Sequence, residues 1–223
     1  MKKPHYLSPV SKIFSAIAGR TEPMKVRIEN YNFVVLPKVF PSHEFRAAKC
    51  LPKSIKEIIK NKTVLYMGCG FGMVGIYSLH HGATKVILAD INPYAVENAE
   101  INKKSHKFSD DQIMIYESDC FDNIPKQTFD VLIFNPPFNT NGKPTSDVLR
   151  KSLWDPGFTS LKKFLGSAKD YMNISSKLLI YYSDRGDIKT LEKLFGQYLY
   201  RWKLWKVFNK DQKFDNRIYV LIK

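Results

Sequence analysis

From residue 51 onward the apolar positions of the chain alternate between two periods. Leu51, Ile55, Ile58 and Ile59 recur at helical spacing, and Pro52 suits a first helical position. Thr63-Val64-Leu65-Tyr66-Met67 is an unbroken apolar run ended by glycines, the pattern of a buried strand. Met73 to His80 returns to a helical pattern that stops before Gly82. Lys85-Val86-Ile87-Leu88-Ala89 predicts a second strand, and Pro93 opens a helix with Val96, Ala99 and Lys103 along one side. Gln112 to Tyr116 and Asp130 to Phe134 predict a third and a fourth strand.

A helix carrying Phe158, Leu161, Phe164, Leu165 and Ala168 on one face leads into a strand over Lys177 to Tyr182. A further helix carries Ile188, Leu191, Leu194, Phe195 and Tyr198. The ending departs from this rhythm. Arg201 to Phe208 and Arg217 to Ile222 are strands separated only by Asn209 to Asn216, too short for a helical crossover, so they are expected to be antiparallel neighbours. The expected fold is α/β, a doubly wound, mainly parallel seven-stranded sheet closed by a C-terminal antiparallel hairpin.

Residues 1–50 read differently, as an appendage to a main domain over 51–223. They hold a short helix around Ile13 to Ala18, alternating stretches at Val26-Arg27-Ile28 and Phe33-Val34-Val35, and the proline-punctuated Pro37 to Pro41. Such an appendage suits a lid over substrate or cofactor. Lys2, Lys3 and Lys12 flank the apolar patch, which is short and lacks a cleavage site, so it reads as a docking helix and not as a secretion signal.

Composition narrows the class. At 223 residues and 44% hydrophobic content, the chain can bury one well-packed core. No apolar run approaches the roughly 20 residues that span a bilayer. Cys50, Cys69 and Cys120 are odd in number and far apart, and His80-His81 lacks the spacing of a zinc helix, so neither a disulfide framework nor a metal site is expected. A cytoplasmic monomer is the default expectation. The net charge of +14 would suit RNA, DNA or a ribosome. Only seven of the 35 basic residues are Arg, however, and Lys is the poorer partner for forked phosphate recognition. Charge alone leaves nucleic-acid contact open. In the C-terminal hairpin, Trp202, Leu204 and Phe208 are expected to face the core while the interleaved Arg201, Lys203 and Lys206 stay solvated.

Candidate chemistry collects at the carboxyl ends of the strands, where open parallel sheets bind ligands. Gly68-Cys69-Gly70-Phe71-Gly72 turns a buried strand into a helix, which gives a sharp bend, free N–H groups and room for a ligand to approach. Asp90 ends the second strand, where a carboxylate can accept both hydroxyls of a ribose, and Asp119 follows the third, where it can accept from an adenine amino group. Asn135-Pro136-Pro137-Phe138 follows the fourth strand. Two prolines remove two amide donors and stiffen the loop, so the Asn135 oxygen and the Pro136 carbonyl become fixed acceptors for a planar –NH2 group. Accepting both hydrogens turns the nitrogen lone pair toward an electrophile and stabilises the charge that develops on it. Phe138 is placed to stack on the flat substrate group.

Gly70-Phe71-Gly72-Met73-Val74-Gly75 also matches the dinucleotide fingerprint, with Asp90 near the expected distance, so a nicotinamide-linked oxidoreductase is a second reading. Its register is poor, because the turn begins at Gly68. A methyltransferase-like RNA-binding protein without activity is a third.

The chain resembles the class I S-adenosylmethionine-dependent methyltransferases that carry an N-P-P-[FY] motif. These include release-factor and ribosomal-protein glutamine methyltransferases and rRNA or tRNA base N-methyltransferases. The likeness covers about Val64 to Leu165. It rests on Val64 to Gly72, on Asp90-Ile91-Asn92-Pro93-Tyr94-Ala95-Val96, on Ser118-Asp119 and on the Asn135 tetrapeptide. It implies that Gly68, Gly70 and Gly72 cradle the methionine part of S-adenosylmethionine, Asp90 the ribose, and Asp119 with Cys120 the adenine. Cys69 and Ile91 count as further cofactor contacts. Asn135 would meet both cofactor and substrate and, with Pro136 and Phe138, form the catalytic set. The implied acceptor is a protein glutamine or an RNA base; Trp154-Asp155-Pro156-Gly157-Phe158 favours the amide slightly, and a small metabolite stays open. One departure is Tyr66, where the family usually carries an acidic residue two positions before the first glycine. A partner for the methionyl ammonium is then expected from Ser42-His43-Glu44.

Overall fold

The computed structural model describes residues 9–44, 46–208 and 215–223, so Lys2, Lys3 and most of the turn Asn209 to Asn216 lie outside the described residues. Nine strands and seven α-helices are described, in the order α1 (Pro9–Ala18), β1 (Met24–Ile28), β2 (Tyr31–Val35), α2 (Arg46–Ile59), β3 (Thr63–Met67), α3 (Met73–His80), β4 (Lys85–Asp90), α4 (Pro93–Ser105), β5 (Ile113–Glu117), β6 (Phe129–Phe134), α5 (Val148–Lys151), α6 (Thr159–Ala168), β7 (Met172–Ser183), α7 (Ile188–Gln197), β8 (Arg201–Phe208) and β9 (Asn216–Ile222). The main sheet has seven strands in the order β5-β4-β3-β6-β7-β9-β8. Pairings among β3 to β7 are parallel, whereas β9 runs antiparallel to both β7 and β8. The doubly wound sheet with its closing hairpin is therefore the observed fold.

Each face of the sheet buries its own cluster. Leu51, Ile55 and Ile59 of α2, with Val74 and Ile76 of α3 and Ala95 and Ala99 of α4, cover one face. Leu161, Phe164 and Leu165 of α6, with Leu191 and Phe195 of α7, cover the other. Continuous apolar runs such as Val64 to Met67 follow from this double burial. Phe33 and Val35 of the β1–β2 hairpin join the first cluster, while Phe14 and Ile17 of α1 pack with Leu149, Leu153 and Trp154 in a third.

Three expectations need correction. Pro52 lies inside α2, which begins at Arg46. The ring costs one main-chain bond, and the fully buried Leu51, Ile55 and Ile59 hold the helix through it. In α4 the buried face is Ala95, Asn98, Ala99, Asn102 and Lys103, with Val96 only half-buried. Two asparagines thus occupy core positions for which a hydrophobic pattern gives no warning. In β8 the register shifts between Leu204 and Lys206, and the extra residue breaks the alternation. Phe208 packs against the first cluster as expected, joined by Trp205; on the opposite face Trp202 meets the buried Phe195 and Tyr219 edge-on while staying 38% exposed, and Leu204 is 42% exposed.

Candidate active site

The parallel strands end almost level. Met67 pairs with both Ala89 and Phe134, and Asp90 pairs with Glu117. The residues that follow, Gly68, Asn135 and Asp119 among them, therefore leave the sheet along one edge. Gly68 and Asn135 stand one step past a register pair, on strands about 5 Å apart. This edge lies where the strand order reverses, between β3 and β6, which is where open α/β sheets bind ligands.

The glycine turn needs its glycines. Gly68, Gly70 and Gly72 have φ of 68°, 56° and 83°, all in the left-handed region. A Cβ at Gly70 would meet nothing within 4 Å, so the cradle is open there, whereas one at Gly72 would lie 3.0 Å from the Ala99 Cβ and 3.2 Å from its Cα. Gly72→Ala should lower stability by roughly 2–4 kcal/mol, part from left-handed strain and part from the clash with the α4 main chain. Urea unfolding checks it, and a loss below about 1 kcal/mol would count against this packing.

Asp90 braces the turn. Its Oδ2 accepts from the Gly70 N–H at 2.8 Å and its Oδ1 from the Asn92 N–H at 2.9 Å. Burial pushes its pKa up, opposed by those donors. The Ile91 N–H adds to those donors, and the carboxylate keeps its remaining accepting capacity for a ligand hydroxyl. Asp119 is ion-paired through Oδ2 with Lys163 Nζ at 3.0 Å, and Lys163 also holds Asp122. Nothing in the sequence pattern pointed to this lysine, 44 residues downstream on α6. Cys120 has φ 56° and a thiol that burial pushes up to about 12, with Sγ donating to the Ser160 carbonyl at 3.6 Å. The Cys69 thiol is raised by burial in the same way. Ile91 is half-buried beside Asp90.

Tyr66 is 6% exposed, and burial, with Cys69 and Asp90 nearby, pushes its hydroxyl far above the ordinary value. The position is thus neutral and cannot supply the family's carboxylate. Ser42–Glu44 forms a short 3-10 helix, and the His43 ring meets Phe71 of the glycine turn edge-on at 6.0 Å. The segment expected to compensate therefore lies against the cradle.

Asn135 is half-buried, and among the described residues neither its carboxamide nor the Pro136 carbonyl has a hydrogen-bond partner. Downstream, the loop is clasped. Asn139 Nδ2 donates to the Leu153 carbonyl at 2.7 Å, and the Asp155 N–H donates to the Asn139 carbonyl at 2.9 Å. The buried Asp155 carboxylate accepts from the Ser160 and Leu161 N–H groups at the start of α6. Phe138 meets Tyr182 edge-on at 6.4 Å. Beside the loop, a cavity of about 400 Å³ opens between α1, α5 and the Lys38–Tyr94 pair; the glycine turn and Asn135 do not line it.

Among the described residues, no group of three or more His, Cys, Asp or Glu could hold a metal ion, and no helix is long and apolar enough to cross a membrane. S-adenosylmethionine fits the arrangement: an open glycine cradle, a braced carboxylate at the next strand end, and acceptors one step away. Gly75, the last glycine of the dinucleotide-like pattern, sits within α3 against Leu88 and Val86, so it serves helix–strand packing.

Comparison with known proteins agrees with this geometry. The methyltransferase small domain family matches residues 30–200. A protein of Methanocaldococcus jannaschii, provisionally named a protein N5-glutamine methyltransferase, is 32% identical over 176 residues, covering 77% of this chain and 86% of its own length. The ribosomal RNA small subunit methyltransferase C of Haemophilus influenzae is 28% identical, covering 69% of this chain, which spans only 42% of that protein. Among solved structures, the ribosomal protein L11 methylase of Lactobacillus delbrueckii shares the fold with a TM-score of 0.62 at 14% identity, over 85% of this chain and 84% of that one.

Proposed function

The chain belongs to the methyltransferase small-domain family and uses S-adenosylmethionine to methylate nitrogen; on that premise we propose that the acceptor is the side-chain amide of a protein glutamine. The observation that carries the reading is the pair of unengaged acceptors, Asn135 Oδ1 and the Pro136 carbonyl, one register step from the glycine turn. An oxidoreductase reading has no support beyond a glycine spacing that packing explains.

Bound S-adenosylmethionine supplies a methyl group already activated by its sulfonium. Gly68, Cys69, Gly70 and Gly72 would line its methionine part, Asp90 and Ile91 its ribose, and Asp119 with Cys120 its adenine. Asn135 and Pro136 each accept one hydrogen of the substrate –NH2. These contacts would fix the nitrogen, draw its lone pair toward the methyl and stabilise the positive charge that forms as the N–C bond is made, the S–CH3 bond breaks and S-adenosylhomocysteine leaves. With the charge so held, the proton can pass to water afterward, and no strong base is needed.

Phe138, whose half-buried ring packs edge-on against Tyr182, would stack on the flat substrate group, amide or base alike, so the choice of an amide rests on likeness. The relative that matches most of both chains carries a glutamine-methylating name. A methyl-labelled donor offered to protein and RNA fractions tests the reading. Label should survive nuclease, be removed by protease and appear as N5-methylglutamine on mass spectrometry. Nuclease-sensitive label would instead establish an RNA base as the acceptor.

A further inference from the structure

Three asparagines of the α4 segment bind the main chain of residues 34–38 in succession. Asn102 Oδ1 accepts from the Val34 N–H at 2.8 Å, and its Nδ2 donates to the Val34 carbonyl at 2.9 Å. Asn98, one turn earlier, accepts from the Leu36 N–H and donates to the Val34 carbonyl, both at 2.8 Å. Asn92 Nδ2 donates to the Lys38 carbonyl at 2.9 Å. The helix side chains thus imitate the edge of a neighbouring strand. Asn98 and Asn102 are fully buried. Asn is a poor helix former, so nothing in local propensity asks for it at these positions.

Both ends of this ladder touch the cofactor loops. The main chain of Asn92 donates to Asp90 Oδ1. Asn102 Nδ2 also donates to the Phe71 carbonyl at 2.8 Å, within the glycine turn. Phe71 is fully buried, and its ring is met edge-on by Phe33 at 5.8 Å and His43 at 6.0 Å. Main-chain rotation at Phe71 would carry Gly70 and Gly72 with it.

We infer that Asn102 is a positioning residue for the cofactor: it fixes the Phe71 carbonyl, and with it the glycine turn, using the N-terminal hairpin as its anchor. The inference rests on S-adenosylmethionine binding at that turn. Asn98 supplies the control, because its carboxamide hydrogen-bonds the same hairpin and not the Phe71 carbonyl.

The test is calorimetry with S-adenosylhomocysteine on the full chain, alongside melting curves. Binding to the unaltered protein checks the site itself. Asn98→Ala and Asn102→Ala should both melt earlier, but only Asn102→Ala should weaken binding, by about tenfold, because it leaves the Phe71 carbonyl buried and unpaired. Coupling is reciprocal, so saturating S-adenosylhomocysteine should slow hydrogen exchange at the Val34 amide of the unaltered protein by a similar factor. Equal losses of affinity in the two variants, or none in Asn102→Ala, would overturn the inference and leave a purely structural asparagine. Should Asn102→Ala not fold, the exchange experiment decides alone, and unchanged protection at Val34 refutes the coupling.

Discussion

Asn135→Ala is expected to lower the rate of methyl transfer by roughly 10²–10³, while affinity for S-adenosylhomocysteine changes by less than about threefold. The carboxamide oxygen is one of the two acceptors assigned to the substrate nitrogen, and the other is a main-chain carbonyl that substitution cannot remove. Its loss frees the substrate –NH2 to rotate and leaves one N–H unmatched as positive charge develops. Because the Asn135 side chain has no hydrogen-bond partner among the described residues, its removal leaves no buried group unsatisfied in the unliganded fold. Single-turnover rates with saturating donor separate the outcomes. A proportional fall in rate and cofactor affinity would mean that Asn135 serves the cofactor and not the acceptor nitrogen.

Asp90→Ala should weaken S-adenosylhomocysteine by about a hundredfold or more. Two hydroxyl bonds to a charged acceptor are worth roughly 1.5–3 kcal/mol each, less the reorganisation of the vacated space. The carboxylate also accepts from Gly70 and Asn92, so its loss unbraces the glycine turn and the start of α4 together. Asp90→Asn retains one acceptor oxygen, and an intermediate loss is expected. Titration calorimetry reads both, and an affinity within threefold of the unaltered protein for Asp90→Ala would remove Asp90 from the site.

The strands, though not their order in the sheet, were legible where burial imposes a continuous apolar run. Val64 to Met67 and Val131 to Phe134 lie in the middle of the sheet, covered on both faces, and their composition says so. The short link between Arg201–Phe208 and Asn216–Ile222 likewise forced an antiparallel pair. The edge residues Gly68, Asp90, Asp119 and Asn135 could be placed because each directly follows a recognisable strand. What escaped was set by tertiary contact. A helix with Pro52 in its interior reads as a helix start, since the packing that tolerates the ring comes from distant residues. Asn98 and Asn102 look like surface residues until the hairpin they bind is in place. Lys163 reaches Asp119 across 44 positions, and no local pattern announces that pairing. The irregularity at Trp205 puts Phe208 on the opposite face from Trp202 and brings Trp205 onto the first cluster, and a one-residue slip cannot be seen in a strand whose apolar and basic residues already alternate imperfectly.

That same irregularity shapes how the molecule behaves in a crowd. Among the described residues β8 borders the sheet with no strand paired to its outer main chain and with Trp202, Leu204 and Val207 partly bare, the kind of edge that can template fibre growth. A second copy docking antiparallel about the strand's midpoint would set Lys203 against Lys206, like charge against like. The kink at Trp205 also keeps the margin from lying flat. Two ammonium groups and one surplus residue thus act as gatekeepers, holding an exposed border against runaway self-assembly.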